Sequence, residues 1–513
     1  MACGLAVVLL VACTGGDDGA DGPRVSTSTA AGPRGSGPGS SLPVDRAPSG
    51  EVRLAVAEEV VTLDPFDARS RAVGSASVLT ALLPQLFRVT PDGRARGWLV
   101  DDDGIEEAPG SVSFRLRPGA RWSDGNPVTL RDLEFTLEVV RGPAWPGPAV
   151  GYEAVTGIEA VGDRIRITFD PARLSPVAWR RLFSGADFVL PAHRLEGSDL
   201  KVVWKAGPDV TAGPFRLTGF TPGLEAVLEA TPGWWGGGPG VSRVRVLAVP
   251  DPVTMEQLLE RGELDVAWVP ATPNRTSRLD AISGVAVSKG APGGWIVSLV
   301  ANTERLPAER RRALLGLVKR DRFVDVLLAG EASLATSVNR VGGSGPWGRG
   351  AVAPGGGKVG GDVSLSFAEE EGVASLLARA LEPAVRSAGS QLELIRSDAA
   401  LVEGTWSRQG RFDLLLIDQF DWPVPCFGCS YSGAAIGEGN VSRISALDDL
   451  VAAADRGDAG AADVLEARLA EDAVLLPLWR PSSLLAFRGV EGVVANSWSP
   501  TPLWGAEDWR MVR

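Results

Sequence analysis

Apolar side chains alternate from Glu51 to Val56, with Val52, Leu54 and Val56 on one face, and this period of two predicts a strand. The alternation returns at Val112, Phe114 and Leu116. It then runs into "RPGARWSDGNPVT", where Asp124-Gly125 is a hairpin-type turn signal. Beyond the turn, Leu133, Leu137 and Val140 recur at helical spacing, and Thr129 with Asp132 at the third position after it predicts a capped helix start. Further along, "VSRVRVLAVP" predicts a strand, "PVTMEQLLERG" a short helix with Met255, Leu258 and Leu259 on one face and Gly262 at its end, and "ELDVAWV" another strand. Strand, helix and strand with short links predict a βαβ crossover, and so a parallel sheet. "VLEARLAEDAVLLPLW" again reads as helix then strand, and the chain is read as mixed α/β without an internal repeat.

The N-terminus does not fit that pattern. "GLAVVLLVA", residues 4 to 12, is too short to span a bilayer and suits the apolar core of a signal peptide. From Thr14 to Gly50 the chain is rich in Gly, Ser, Pro, Thr and Asp and is expected to be a disordered tether. "LVAC" resembles a bacterial lipobox, which would make Cys13 a lipid anchor and residues 1–13 a lipoprotein signal peptide; no Lys or Arg precedes the apolar run.

At 513 residues the chain is long enough for two or three domains, and its net charge of -12 argues against a general nucleic-acid binder. The single histidine, His193, leaves little room for His-based catalysis or a multi-His metal site. Ser198 and Lys201 match SxxK, the only trace of a surface serine hydrolase, without the SDN, KTG or GxSxG partners such an enzyme needs. Gly355, Gly357 and Gly360 form a lone GxGxxG with no convincing strand before it. No cofactor is expected.

"FDWPVPCFGC", residues 420 to 429, follows the apolar strand "FDLLLID" and gathers an acid, aromatics, prolines and two cysteines. Asp421 there either caps a turn or meets a ligand. Cys426 and Cys429 are open to three readings: half of a zinc site, a redox pair, or a local disulfide shaping the loop. With no other cysteine in the body, and prolines at 423 and 425, the disulfide is the most economical.

Four segments together resemble the family 5 extracellular solute-binding proteins, which include the oligopeptide- and dipeptide-binding components of bacterial ABC importers. They are "LRPGARWSDGNPVTLRDLEFTL", "TAGPFRLTGFTPGLEAVLEATPGWWGG", "VRVLAVPDPVTMEQLLERGELDVAWV" and "RRALLGLVKRDRFVDVLLAG", with "VTLDP" as a weaker match at residues 61 to 65. The resemblance implies a two-lobed periplasmic-binding-protein-like α/β fold (type II, large cluster) with an extra accessory domain. It places lobe one in residues 51–85, 201–290 and 475–513, the accessory domain in 86–200 and lobe two in 291–474.

Within that frame, the turn at Asp124-Gly125 is a structural landmark of the accessory domain. Asp421 stands where peptide-binding members carry an aspartate that pairs with the ligand's N-terminal ammonium, although Asp418 and Val424 stand where the family often has a Trp and a second acid. Phe420, Trp422 and Trp295 are expected as aromatic walls, and Asn302 as a structural residue. The resemblance also implies a short peptide or other small solute as ligand, an ABC permease with ATPase subunits as partner, a monomer held at the outer face of the membrane by lipid alone, and no nucleic acid. A ligand sensor without transport is the alternative.

Overall fold

The computed structural model describes residues 48–513 apart from 148, 150, 175–177, 186, 270, 273, 339–344, 349–358, 369–371, 398–408, 421–443, 457, 500 and 513. Two large sheets organise it. In the first, strand order is Ala286–Lys289, Leu484–Phe487, Val266–Val269, Glu51–Val56, Arg243–Ala248, Glu225–Ala230 and Phe215–Thr221. Val52, Leu54 and Val56 are buried, as their alternation predicts. The expected βαβ unit is present, with helix Pro252–Arg261 between its strands. Its two strands are not neighbours, however: Glu51–Val56 lies between them, parallel to both. The helix ends at Gly262 in a left-handed conformation (φ +71°), with the Glu263 N–H returning to the Leu258 carbonyl at 2.8 Å, the Schellman closure that favours glycine.

The second sheet has the order Ala332–Leu334, Leu475–Pro481, Trp295–Ala301, Leu414–Phe420, Val363–Ala368 and Leu392–Ser397. The expected boundary at 475 needs correction here. Strand Leu475–Pro481, expected in lobe one, belongs to this second sheet, and the chain returns to the first sheet only at Leu484. "LLPLWRPSSLLAF" holds two consecutive apolar strands, and which sheet each joins is decided by partners far away in sequence.

A smaller four-stranded sheet, Glu106–Ala108, Ser111–Phe114, Arg164–Phe169 and Val155–Val161, packs with helix Leu130–Arg141. Its core is continuous with one face of the first sheet: Val112, Phe114, Leu133 and Trp179 share a cluster with Val52, Leu54 and Trp509. The second sheet has a separate core, built on Leu299, Leu365, Leu414 and Leu476. A third cluster, with Met255, Leu259 and Leu264, lines the other face of the first sheet, so the first lobe has a core on each face of its sheet and the second lobe has its own. Among the described residues no helix is long and apolar enough to cross a membrane.

The Asp124-Gly125 turn ties the smaller sheet's helix to the first lobe. Gly125 has φ +93°, and the Trp122 N–H closes the turn on the Asn126 carbonyl at 2.8 Å. Thr129 and Asp132 form the predicted capping box, with the Thr129 N–H donating to Asp132 at 2.7 Å. The other Asp132 oxygen accepts from the Ala192 N–H at 2.8 Å. His193 Nε2 lies 2.8 Å from Asp124. Burial alone would raise the Asp124 carboxyl, but His193 and the Asn126 donors hold it below the ordinary aspartate range. The only histidine in the chain is thus part of this turn's scaffolding.

Candidate ligand cleft

Strands Glu51–Val56, Arg243–Ala248 and Val266–Val269 run parallel, so their carboxyl ends share one edge of the first sheet. Lys289 and Leu484 lie at that edge, since Leu484 pairs with both Val269 and Lys289. In the second sheet, Val363–Ala368, Leu392–Ser397 and Leu414–Phe420 are likewise parallel. Trp295 pairs with Phe420, and Val297 with Trp479, so the carboxyl edge of this sheet holds Phe420, Trp295 and the end of Leu475–Pro481. The chain passes between the sheets twice, at 290–294 and at 482–483, and both passages leave from these edges. Each lobe therefore turns the carboxyl ends of its parallel strands toward the crossings, where open α/β sheets bind ligands.

The crossings are closely built. The Gly290 N–H donates to the Ser483 carbonyl at 2.9 Å, and the Gly294 N–H to the Ser497 carbonyl at 2.9 Å. Ser483 receives the indole N–H of Trp268 on its hydroxyl at 3.2 Å and donates its own N–H to the Ser497 hydroxyl at 2.9 Å. At Gly293 a Cβ would stand 2.5 Å from the Ser497 carbonyl oxygen, so only glycine allows this approach. Arg480, 3 % exposed, donates to the Gly293 carbonyl at 3.0 Å and to the Ser337 carbonyl at 3.2 Å, fastening the first crossing to the second lobe. Sequence reasoning missed Arg480. Its signal was a charged residue closing the apolar run "LLPLWR".

Of the expected site residues, Trp295 and Phe420 are brought together as cross-strand partners at the cleft edge, with Trp295 half-buried. Asp421, Trp422, Cys426, Cys429 and Cys13 lie outside the described residues, as does most of the GxGxxG stretch. Asn302 follows the other end of the Trp295–Ala301 strand and is fully buried. Its amide donates to the carbonyls of Gly410 at 3.0 Å and Phe412 at 2.9 Å and accepts from the Glu304 and Arg305 N–H groups, so it is a strut inside lobe two. Asp64 of "VTLDP" is buried and accepts from the Phe66 N–H at 3.0 Å; burial pushes its carboxyl above the ordinary range. Lys201 of the SxxK match is exposed.

A shallow cavity of about 420 Å³, lined by Arg305, Asp362, Ser364, Glu393, Arg411 and Asp413, lies at the amino ends of the second sheet's parallel strands. It is on the edge opposite the crossings, so it is not the cleft between the lobes.

Residues 95–353, just over half of the chain, match the family described as bacterial extracellular solute-binding proteins, family 5 Middle. Among curated proteins, the "Probable monoacyl phosphatidylinositol tetramannoside-binding protein LpqW" of Mycobacterium tuberculosis is 29 % identical over 275 residues, 50 % of this chain and 41 % of that one. The oligopeptide-binding protein OppA of the same species is 25 % identical over 230 residues, 43 % of this chain and 38 % of that one. The chain thus spans about two fifths of the length of these relatives. The solved structure of the oligopeptide-binding protein AppA of Bacillus subtilis, in complex with a nonapeptide, superposes with a TM-score of 0.76 at 16 % identity, covering 91 % of this chain and 99 % of that one. The fold is accordingly the two-lobed fold of periplasmic binding proteins, and the chain belongs to family 5 of the bacterial extracellular solute-binding proteins.

Proposed function

We propose that this protein is the extracytoplasmic capture component of an ABC importer and that it encloses a short peptide between its lobes. The observation that carries this reading is the arrangement at the crossings: two separately cored lobes, joined by two glycine- and serine-rich passages, with the carboxyl ends of both parallel sets facing the gap. Such a hinge selects a ligand only when the closed state gains contacts from both lobes. In this reading Asp421 receives the peptide's terminal ammonium, a charge-assisted pair, and Trp295, Phe420 and Trp422 wall the pocket. Cys426 and Cys429 close a disulfide behind that loop. Cys13 carries the lipid that tethers a monomeric body, through residues 14–50, near a permease and its ATPase subunits. The accessory domain takes residues 86–200, between the segments of lobe one.

Calorimetric titration with free and N-acetylated di- to penta-peptides tests the reading. Free peptides should bind, and acetylation or Asp421→Asn should abolish the heat. A second class of ligand, a glycan headgroup, is favoured by the similarity to LpqW. Binding of mannosides with inert peptides would replace the peptide reading with that one.

A further inference from the structure

One buried carboxylate joins the lobes beside the crossings. Glu331 belongs to the second lobe: it follows the π-helical segment Phe323–Leu328 and precedes strand Ala332–Leu334. That segment is anchored on the strand leading to the second crossing, because Phe323 stacks on Trp479 with ring centroids 5.2 Å apart. Gly330, at φ +85°, reverses the chain and sends the Glu331 side chain into the other lobe. The side chain is only 5 % exposed. Its hydrogen bonds come from the first lobe: from the Thr276 N–H at 3.1 Å, the Thr276 hydroxyl at 2.9 Å and Lys289 Nζ at 3.2 Å. Lys289 donates to the Gly330 carbonyl as well. The backbone of the same residue holds the crossing itself, its carbonyl accepting the Ser482 N–H at 3.0 Å.

We infer that Glu331 is an inter-lobe clamp that sets the angle between the lobes. Thr276 opens helix Arg275–Asp280, which follows the carboxyl end of Val266–Val269, while Lys289 ends the outermost strand of the first sheet. Ala332–Leu334 is in turn the outermost strand of the second sheet. Rotation about 290–294 and 482–483 draws these edges past one another, and Glu331 must either move with Thr276 and Lys289 or lose them. Parting from Thr276 and Lys289 exchanges charge-assisted hydrogen bonds, made where the side chain is only 5 % exposed, for hydration, and bonds of this kind are stronger than those between neutral groups. Departures from the clamped angle are therefore penalised, and the hinge is biased rather than free. The clamp goes beyond ligand capture and rests on that reading only for its use, so its test is run without ligand.

Dyes placed at the exposed positions Val253, in the first lobe, and Val464, in the second, report the inter-lobe distance in the full chain. The wild type should give one narrow distance population. Glu331→Gln and, separately, Lys289→Met should broaden that population and move its mean, while melting curves show that both variants are folded. Should Glu331→Gln fail to fold, Lys289→Met and Thr276→Val decide the matter, since each removes a donor and leaves the carboxylate in place. Folded variants with the wild-type distance distribution would overturn the clamp, whatever the ligand proves to be.

Discussion

Asn302→Leu gives a test of the second lobe with a magnitude that the structure supplies. The side chain is fully buried, and the substitution keeps its approximate volume while deleting its polar end. Four hydrogen bonds go: two donated to the carbonyls of Gly410 and Phe412, and two accepted from the N–H groups of Glu304 and Arg305. Glu304 and Arg305 are exposed, and their N–H groups can turn to water. The Gly410 and Phe412 carbonyls are in buried residues, and at about 1–3 kcal/mol for each stranded group the cost is about 2–6 kcal/mol. Burying a leucine there returns about 1.5–3 kcal/mol, so mid-range values leave a net loss of about 2 kcal/mol. Urea unfolding followed by far-UV circular dichroism measures it; because the lobes have separate cores, the transition of lobe two should shift and that of lobe one should not. Ligand affinity of the folded variant should match the wild type, because Asn302 lies beyond the cleft-distal end of the strand that begins at Trp295. A stability change within about 0.5 kcal/mol, the range of an ordinary surface substitution, would refute the strut.

Two further outcomes follow from local geometry. Burial works to raise the Asp413 carboxyl, but Arg305 at 2.7 Å and the Ser364 N–H and hydroxyl, each at 3.0 Å, hold it below the ordinary aspartate range. A depressed folded value adds stability above the unfolded value of about 3.9, and that stability is lost as pH falls through the folded one. Asp413→Asn should therefore melt below the wild type at pH 7, with the gap closing under about pH 4; a gap independent of pH would contradict this. Gly293→Ala would press a methyl group against the Ser497 carbonyl, 2.5 Å away, and should cost about 1–3 kcal/mol in thermal unfolding, whereas an unchanged melt would mean that the crossing has slack.

Local signals were legible in the sequence, and long-range ones were not. The capping box at Thr129 and Asp132 and the Gly262 helix stop involve neighbours in sequence, and both stand as the pattern predicts. Strand Glu51–Val56 was visible, but its insertion between the two strands of the βαβ unit was not, since alternation says nothing about partners. The same limit hid the true return crossing, because nothing in "LWRPSSLLAF" marks a change of sheet apart from the Pro481-Ser482-Ser483 break. At the cleft, Trp295 and Phe420 were named through family resemblance, and their adjacency is a matter of strand register. Glu331 resembles any surface acid in "LAGEASL"; its burial depends on Thr276 and Lys289, about fifty residues away in the chain.

Enclosure of a ligand between the lobes is read by small-angle X-ray scattering of the full chain with and without a bound short peptide. A smaller radius of gyration is expected at saturating peptide, while Asp421→Asn should keep the ligand-free wild-type value under the same conditions. A peptide that binds, by calorimetry, and leaves the scattering curve unchanged would contradict enclosure and place binding elsewhere on the molecule.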